Sequence, residues 1–234
     1  MEEKELMGLE SVKPGMSNGI STQLWEKRQK EGLEAELTEE EKNKIIEEAS
    51  FHYGNFLTAL GCDWKNDPNA DRTPYRVAKA FVRDSWAGRF NSEPKITAFP
   101  ADGYSGIVQE SNIPLTSMCS HHHERILGTV SIAYVPSETG MVIGLSKLNR
   151  ITSYIAERGQ IQEAMTVAIH NAVDKICKGN LGVAVQVNAS HSCVQCRGVK
   201  HQGASMQTAK LSGCFLEEAS ARAEFYKNIE LAKK

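Results

Sequence analysis

Apolar residues recur at spacings of three and four along the first part of the chain, a pattern that predicts amphipathic helices. One helix is predicted from Thr38, where Thr38 and Glu41 form a T-x-x-E capping box, to near Gly61. The preceding residues 1–37 are polar and charged, and we expect a flexible arm with a short helix near residues 23–30. The apolar stripe of the predicted helix consists of Ile45, Ala49, Tyr53, Phe56 and Leu60.

A second helix is predicted in DRTPYRVAKAFV, with Thr73 as its N-cap and Pro74 in its first turn. Arg76 and Lys79 lie three residues apart and therefore share one face near the helix start. By themselves these two cations indicate a solvated basic edge. The inward positions of this helix would be Val77, Ala80 and Phe81.

Alternation of apolar and polar residues begins after Pro114 and predicts strands. The order strand, strand, helix, helix, strand, strand, after the first helices, predicts an α+β fold: an antiparallel sheet with two helices on one face. The expected strands are ILGTVSIAYVP, MVIGL, LGVAVQVNASH and residues 210–215, and the expected helices between them are residues 146–158 and 162–178. The chain is accordingly divided into an arm (1–37), an N-terminal helical region (38–110) and a sheet domain (111–234).

Charge and composition narrow the classes of partner. A net charge of -2 gives no bulk attraction to nucleic acid or to an anionic membrane. No apolar run reaches the roughly 18–20 residues of a membrane span, and the acidic N-terminus lacks the order of a secretory signal. We therefore expect a cytoplasmic protein with no nucleic-acid partner and no membrane partner.

Cysteine and histidine cluster at two places in the chain. In a reducing compartment cysteines are expected to be buried thiols or metal ligands rather than disulfides. Cys62 and Cys177 stand alone in helix-like surroundings, which favours core thiols. The first cluster, in SMCSHHHER, contains Cys119, His121, His122 and His123, and the second, in HSCVQC, contains His191, Cys193 and Cys196.

Thiolate and imidazole ligands together suit Zn²⁺, so the two clusters predict a zinc site. Two metal arrangements stay open at this point. Three protein ligands would leave a fourth position for water, as in catalytic sites, whereas Cys119, one histidine, Cys193 and Cys196 would close a structural Cys₃His shell. Without a metal, the same residues would form an exposed polar turn and buried thiols.

Two helix starts carry residues suited to a nucleotide. In GLSKLNR, a capping Ser146 with Lys147 and Arg150 could hold a phosphate at unpaired backbone N–H groups, or it could be an ordinary capped helix. In GQIQEAM, Gln162 and Glu163 open the next helix. The negative charge of the glutamate could simply be stabilised by the helix dipole at the helix N-terminus, or the carboxylate could accept two hydrogen bonds from a guanine edge.

Together these motifs resemble the GTP cyclohydrolase I family. The resemblance runs in one order from about Thr38 to the C-terminus, and the matching stretches are RTPYRVAKAF, CSHH, GTVSIAYVP, VIGLSKLNRI, QIQE, VAVQVNASHSCVQCRGV and LSGCF. It implies a T-fold (tunnelling fold) that assembles as a homodecamer with active sites between subunits. It also implies a zinc-dependent hydrolysis of GTP at guanine C8, with release of formate and formation of 7,8-dihydroneopterin triphosphate, the first step of pterin and folate biosynthesis.

The resemblance also implies a role for each candidate residue. The zinc ligands would be Cys119, His122 and Cys193, and the acid/base histidines His121 and His191. The residues that contact the triphosphate would be Arg76, Lys79, Ser146, Lys147, Arg150 and Arg197, and those that recognise guanine Gln162 and Glu163.

Several positions depart from the family pattern. Gly159 stands in place of a proline and Ala164 in place of an arginine, and this lost charge motivates an alternative member that stops at a ring-opened intermediate. Cys196 replaces a small residue and motivates a second alternative, a non-catalytic zinc-stabilised nucleotide-binding scaffold. His123 is expected to be a surplus polar residue, because alternation along a strand sends neighbours to opposite faces.

Overall fold

The computed structural model describes residues 36–233, which fall into two compact units. The helical unit comprises residues 36–84 and Arg89–Ser92, and the sheet unit comprises Ser85–Gly88 and residues 93–233. The predicted arm and its short helix lie outside the described residues, apart from positions 36 and 37. Leu37 is buried, and its N–H donates to the Phe90 carbonyl at 3.0 Å.

The first helix, α1 (Glu39–Ala59), begins at the predicted capping box. The Glu41 N–H donates to the Thr38 hydroxyl at 3.2 Å, and the Thr38 N–H donates to the Glu41 carboxylate at 2.7 Å. The predicted apolar stripe is wrong at its far end, because Phe56 and Leu60 are 54% and 63% exposed. Trp64 packs against the helix at Gly54 instead. The buried face of α1 therefore runs through Ile46 and Gly54, next to the predicted apolar stripe.

The second helix, α2 (Thr73–Ala80), has Arg72 rather than Thr73 at its N-cap position, and Pro74 lies in its first turn. It continues into a π-helical turn at Phe81–Ser85, and α3 (Ala87–Phe90) follows. The side chains of Arg76 and Lys79 are exposed.

The sheet unit contains a four-stranded antiparallel sheet in the order β2–β3–β5–β6 and a separate antiparallel pair, β1–β4. The strands are β1 (Ala98–Pro100), β2 (Val108–Met118), β3 (Arg125–Pro136), β4 (Met141–Ile143), β5 (Asn180–His191) and β6 (Met206–Leu211). The helices of this unit are α4 (Leu145–Ala156), α5 (Gln162–Ile176), α6 (Ser192–Gln195), α7 (Cys214–Glu217) and α8 (Ala219–Leu231).

Helices α4 and α5 pack on one face of the larger sheet, where they cover alternate residues of β3 and β5 such as Ile132 and Val185. The predicted α+β class, with an antiparallel sheet and two helices on this face, is confirmed. A second, smaller apolar cluster lies on the other face, where Phe215 and Phe225 of α7 and α8 pack against Ala133. No helix among residues 36–233 is long and apolar enough to cross a membrane.

The last predicted strand is displaced. Residues 206–211 form β6, whereas residues 212–215, expected to extend a strand, turn into α7. Gly213 carries the turn, with φ of 52° and with no room for a Cβ, which would lie 2.1 Å from the Leu181 carbonyl oxygen.

Gly128 supplies a test of the β3–β5 pairing, because it lies opposite Ala189. A Cβ on Gly128 would lie 2.1 Å from the Asn188 carbonyl oxygen, which is backbone and cannot rotate away. We expect Gly128→Ala to lower the free energy of unfolding by about 1–3 kcal/mol or more. Urea unfolding measures this change. Gly203→Ala is the control, since the nearest atom is 3.8 Å away on a His201 side chain; equal losses in both variants would contradict the argument.

Candidate metal centre and substrate site

The first Cys/His cluster occupies the connection between β2 and β3. The Cys119 N–H donates to the Glu124 carbonyl at 2.8 Å and the His123 N–H donates to the Cys119 carbonyl at 3.0 Å, so the loop folds back on itself. His123 has φ of 53°, and its ring packs edge-on against Trp86 at 5.1 Å between centroids. The three histidines therefore lie in a turn, and the strand alternation used to interpret His123 does not apply.

Strand pairing in the sheet places the second Cys/His cluster next to the first. The last residue of β5, His191, pairs with Ile126 near the start of β3, and α6 follows directly with Cys193. As a result one ligand atom from each of Cys119, His191 and Cys193 lies within 4.8 Å of the others. Cys119 is buried, and the other two residues are half-buried.

Two thiols and an imidazole at this spacing are a donor set that fits Zn²⁺. Burial raises the pKa of the Cys193 thiol, and the adjacent Cys119 raises it further, while Arg197 opposes both effects. A bound cation would reverse this by stabilising the thiolates. Cys196 is exposed and is not part of the group that the described residues form.

The two histidines of the CSHH motif face different partners. His121 Nδ1 lies 3.6 Å from Cys119 Sγ. His122 Nε2 lies 3.0 Å from a guanidinium nitrogen of Arg197, which can only donate, so His122 accepts at Nε2. His122 could bind a metal through Nε2 only if Arg197 withdrew. Both histidines and Arg197 are exposed.

The start of α5 reaches the same cluster through Gln162. Its side chain is 1% exposed, and its carbonyl oxygen lies 2.8 Å from His191 Nε2. A direct contact with guanine would require the Gln162 amide to leave its partners in the chain, whereas Glu163 is exposed. Burial lowers the pKa of His191, and the Glu163 carboxylate partly offsets this.

Three of the predicted phosphate residues, Ser146, Lys147 and Arg150, lie in the first two turns of α4. Gly144 occupies the N-cap position, so the expected cap at Ser146 is wrong and Ser146 is inside the helix. Ser146 and Arg150 are exposed, and Lys147 is half-buried. The helix still presents an N-terminus and two cations to solvent, as an anion site requires.

Helix α4 starts at the opposite end of the sheet from Cys119. The Ile143 N–H donates to the Tyr134 hydroxyl at 2.8 Å just before the helix begins, and near its other end the Ser117 hydroxyl donates to the Ala156 carbonyl. Ser146 lies ten residues before Ala156 in this helix, which corresponds to about 15 Å along the helix axis. One chain therefore holds the cysteines and the basic helix start far apart.

Sequence reasoning had no means of finding two of these contacts. The bond from Arg197 to His122 and the bond between Gln162 and His191 both join distant parts of the chain. The strand patterns were the available signal, since they predict which segments pair but not which residues face one another.

Comparison with known proteins gives one consistent result. A family model described as GTP cyclohydrolase I matches residues 49–230. Proteins named GTP cyclohydrolase 1 from Shewanella sp. strain ANA-3, Haemophilus ducreyi and Haemophilus influenzae are 38%, 37% and 36% identical to this chain. These alignments cover 84%, 84% and 81% of the chain and 91%, 90% and 86% of the relatives. Because the match spans most of the sequence, the chain belongs to the GTP cyclohydrolase I family.

Proposed function

We propose that this chain is a zinc-dependent GTP cyclohydrolase I that opens the guanine ring of GTP at C8. The products are formate and 7,8-dihydroneopterin triphosphate, the first intermediate of pterin and folate biosynthesis, made in the cytoplasm. The observation that carries the proposal is the group formed by Cys119, His191 and Cys193 beside the exposed Glu163, in a chain of this family.

The residues that would hold zinc are Cys119, His122 and Cys193, with His121 and His191 as acid/base groups. The convergence of the two thiols supports this assignment. When bound, Zn²⁺ supplies Lewis-acid activation of water near neutral pH. Arg197 would leave His122 Nε2 and turn to the substrate triphosphate, which is a stronger partner for a guanidinium than a neutral imidazole.

The remaining groups position the base and move protons. Glu163 accepts two parallel hydrogen bonds, from the guanine ring N–H and the exocyclic amine. The acid/base histidines protonate guanine N7, which makes C8 electrophilic. The exposure of His121 supports its role, because a proton donor must reach the substrate.

The triphosphate is held by Ser146, Lys147 and Arg150 at the start of α4, together with Arg76, Lys79 and Arg197. Since Ser146 lies about 15 Å along α4 from Ala156, at the end of the helix that bonds Ser117 near the cysteines, we propose that the helix start serves the metal centre of a neighbouring subunit. The homodecamer of the family, with active sites between subunits, satisfies this requirement.

A variant chemistry remains a second candidate because Ala164, exposed in the first turn of α5, replaces an arginine. Such an enzyme would open the ring without completing the rearrangement. The scaffold alternative has less support, since the exposed Cys196 lies outside the group that could close a Cys₃His shell.

An assay of the zinc-loaded protein with GTP tests the reaction. We expect formate and a pterin, fluorescent after oxidation, in equal amounts. Formate without pterin, or a formylated product, would favour the variant chemistry. Neither product from zinc-loaded protein would contradict the proposal.

Zinc content tests the ligands. Bound zinc, measured by elemental analysis, should fall from about one ion per chain toward zero in Cys119→Ser and Cys193→Ser. Cys196→Ser is the matched control and should retain both zinc and activity. Among the histidines, His122→Ala should lose zinc and His191→Ala should keep it; the reverse pattern would overturn the ligand assignment.

Mixed oligomers test the shared site. Cys193→Ser and Lys147→Glu should each abolish activity, because one removes a metal ligand and the other repels the triphosphate. When the two variants are co-assembled at equal amounts, about a quarter of the sites combine two intact halves, and activity should return to that level. Each variant assembled with itself is the control. Hybrids that stay inactive would show that each site is built from one chain.

A further inference from the structure

The amide of Gln162 is enclosed by groups whose hydrogen-bonding roles are fixed. Its nitrogen lies 3.3 Å from the Val187 carbonyl oxygen and 3.0 Å from the Met206 carbonyl oxygen. A backbone carbonyl can only accept a hydrogen bond. The end of the amide that faces β5 and β6 must therefore be the NH₂ group, and the assignment of nitrogen and oxygen follows from the neighbours.

Two threonines confirm this orientation. The Thr166 hydroxyl donates to the Gln162 backbone carbonyl at 2.8 Å, and it lies 2.6 Å from the Thr208 hydroxyl. Because Thr166 has already used its proton, Thr208 must donate to Thr166. Thr208 can then only accept from the Gln162 nitrogen, which lies 3.1 Å away.

The oxygen of the same amide consequently faces His191, with 2.8 Å between Oε1 and Nε2. An amide oxygen accepts and never donates, so Nε2 of His191 must carry a hydrogen. In a neutral imidazole only one ring nitrogen is protonated. The lone pair of His191 is thus confined to Nδ1.

We propose that Gln162 is a positioning residue that fixes His191 as the Nε2–H tautomer, so that Nδ1 is the atom that exchanges a proton during the reaction. The catalytic part rests on the proposed function: Nδ1 takes a proton from the water that adds to C8 as hydroxide and passes this proton to guanine N7. The Nε2–H of His191 donates to Gln162 throughout. Gln162 then acts through His191 and not by reading the guanine edge itself.

The tautomer is measured directly, without any activity. Nitrogen NMR under magic-angle spinning on protein labelled with ¹⁵N at histidine distinguishes protonated from unprotonated ring nitrogens in a large assembly. The chain has seven histidines, so the His191 signals are identified by their loss in His191→Asn. We expect a protonated Nε2 in both the zinc-loaded and the EDTA-treated protein. An unprotonated Nε2 with a protonated Nδ1 overturns the proposal even if the enzyme is fully active.

Kinetics of Gln162→Met separate positioning from guanine recognition. Loss of the fixed tautomer should lower kcat by about 10–100-fold, the range for residues that orient another group through a hydrogen bond. KM for GTP should stay unchanged. The ¹⁵N spectrum of this variant should show both tautomers of His191. A higher KM with normal kcat and an unchanged spectrum would mean that Gln162 reads the base, and would overturn the proposal.

Gln186→Met is the matched control. Gln186 is also on β5, where its amide bonds Gln207, and its neighbours Val185 and Val187 lie in the core on the α4–α5 face. The same substitution there should leave kcat and the His191 spectrum unchanged. If Gln162→Met does not fold, the spectrum of the unsubstituted protein still decides the tautomer. If the protein has no GTP cyclohydrolase activity, the proposed function fails while the tautomer remains measurable.

Discussion

Antiparallel pairing of β3 with β5 is the constraint on which the rest of the site depends. The register is held by directly opposed apolar pairs, Val130 with Val187 and Ile132 with Val185, all fully buried under α4 and α5. A slip of one residue would turn these side chains to the other face, at a cost of about 1.5–3 kcal/mol for each apolar side chain exposed. The same register places His191 opposite Ile126, so core packing and the candidate metal centre are specified together.

Patterns among neighbouring residues predicted those helices and strands whose formation depends mainly on neighbouring residues. The capping box of α1 and the alternating strands β3 and β5 were predicted from neighbouring residues, and the structure has them. Strand β2 was not predicted, because Pro114, a register shift between Glu110 and Ile113, and Asn112 at φ of 60° interrupt its alternation. Helix α8 was missed as well, since only Phe225 and Ile229 are buried along its length and its sequence carries a weak stripe.

The site was predictable as a set of residue types and only partly as geometry. Cys/His spacing pointed to zinc, and the motifs identified the family. The orientation of Gln162 could not be predicted, because it depends on carbonyls of β5 and β6 that are brought to it by strand pairing. The prediction of Ser146 as the cap of α4 was wrong for a related reason. The helix begins after Gly144, directly behind β4 and without a side-chain cap, so Ser146 lies within the first turn of the helix.

The direction of α4 gives the main argument for the proposed site between subunits. Helix α4 runs back along the sheet from Tyr134 toward Cys119, so its positive N-terminal end points away from the candidate metal centre of its own chain. The helix axis covers about 15 Å between Ser146 and Ala156, and a helix packed on the sheet does not bend enough to remove this separation. The N-terminal end of α5, in contrast, lies near the cysteines, because Gln162 bonds His191. Within one chain, folding therefore brings Gln162 to the candidate metal centre, whereas the start of α4 lies at the other end of its helix, so the proposed phosphate site calls for a second chain.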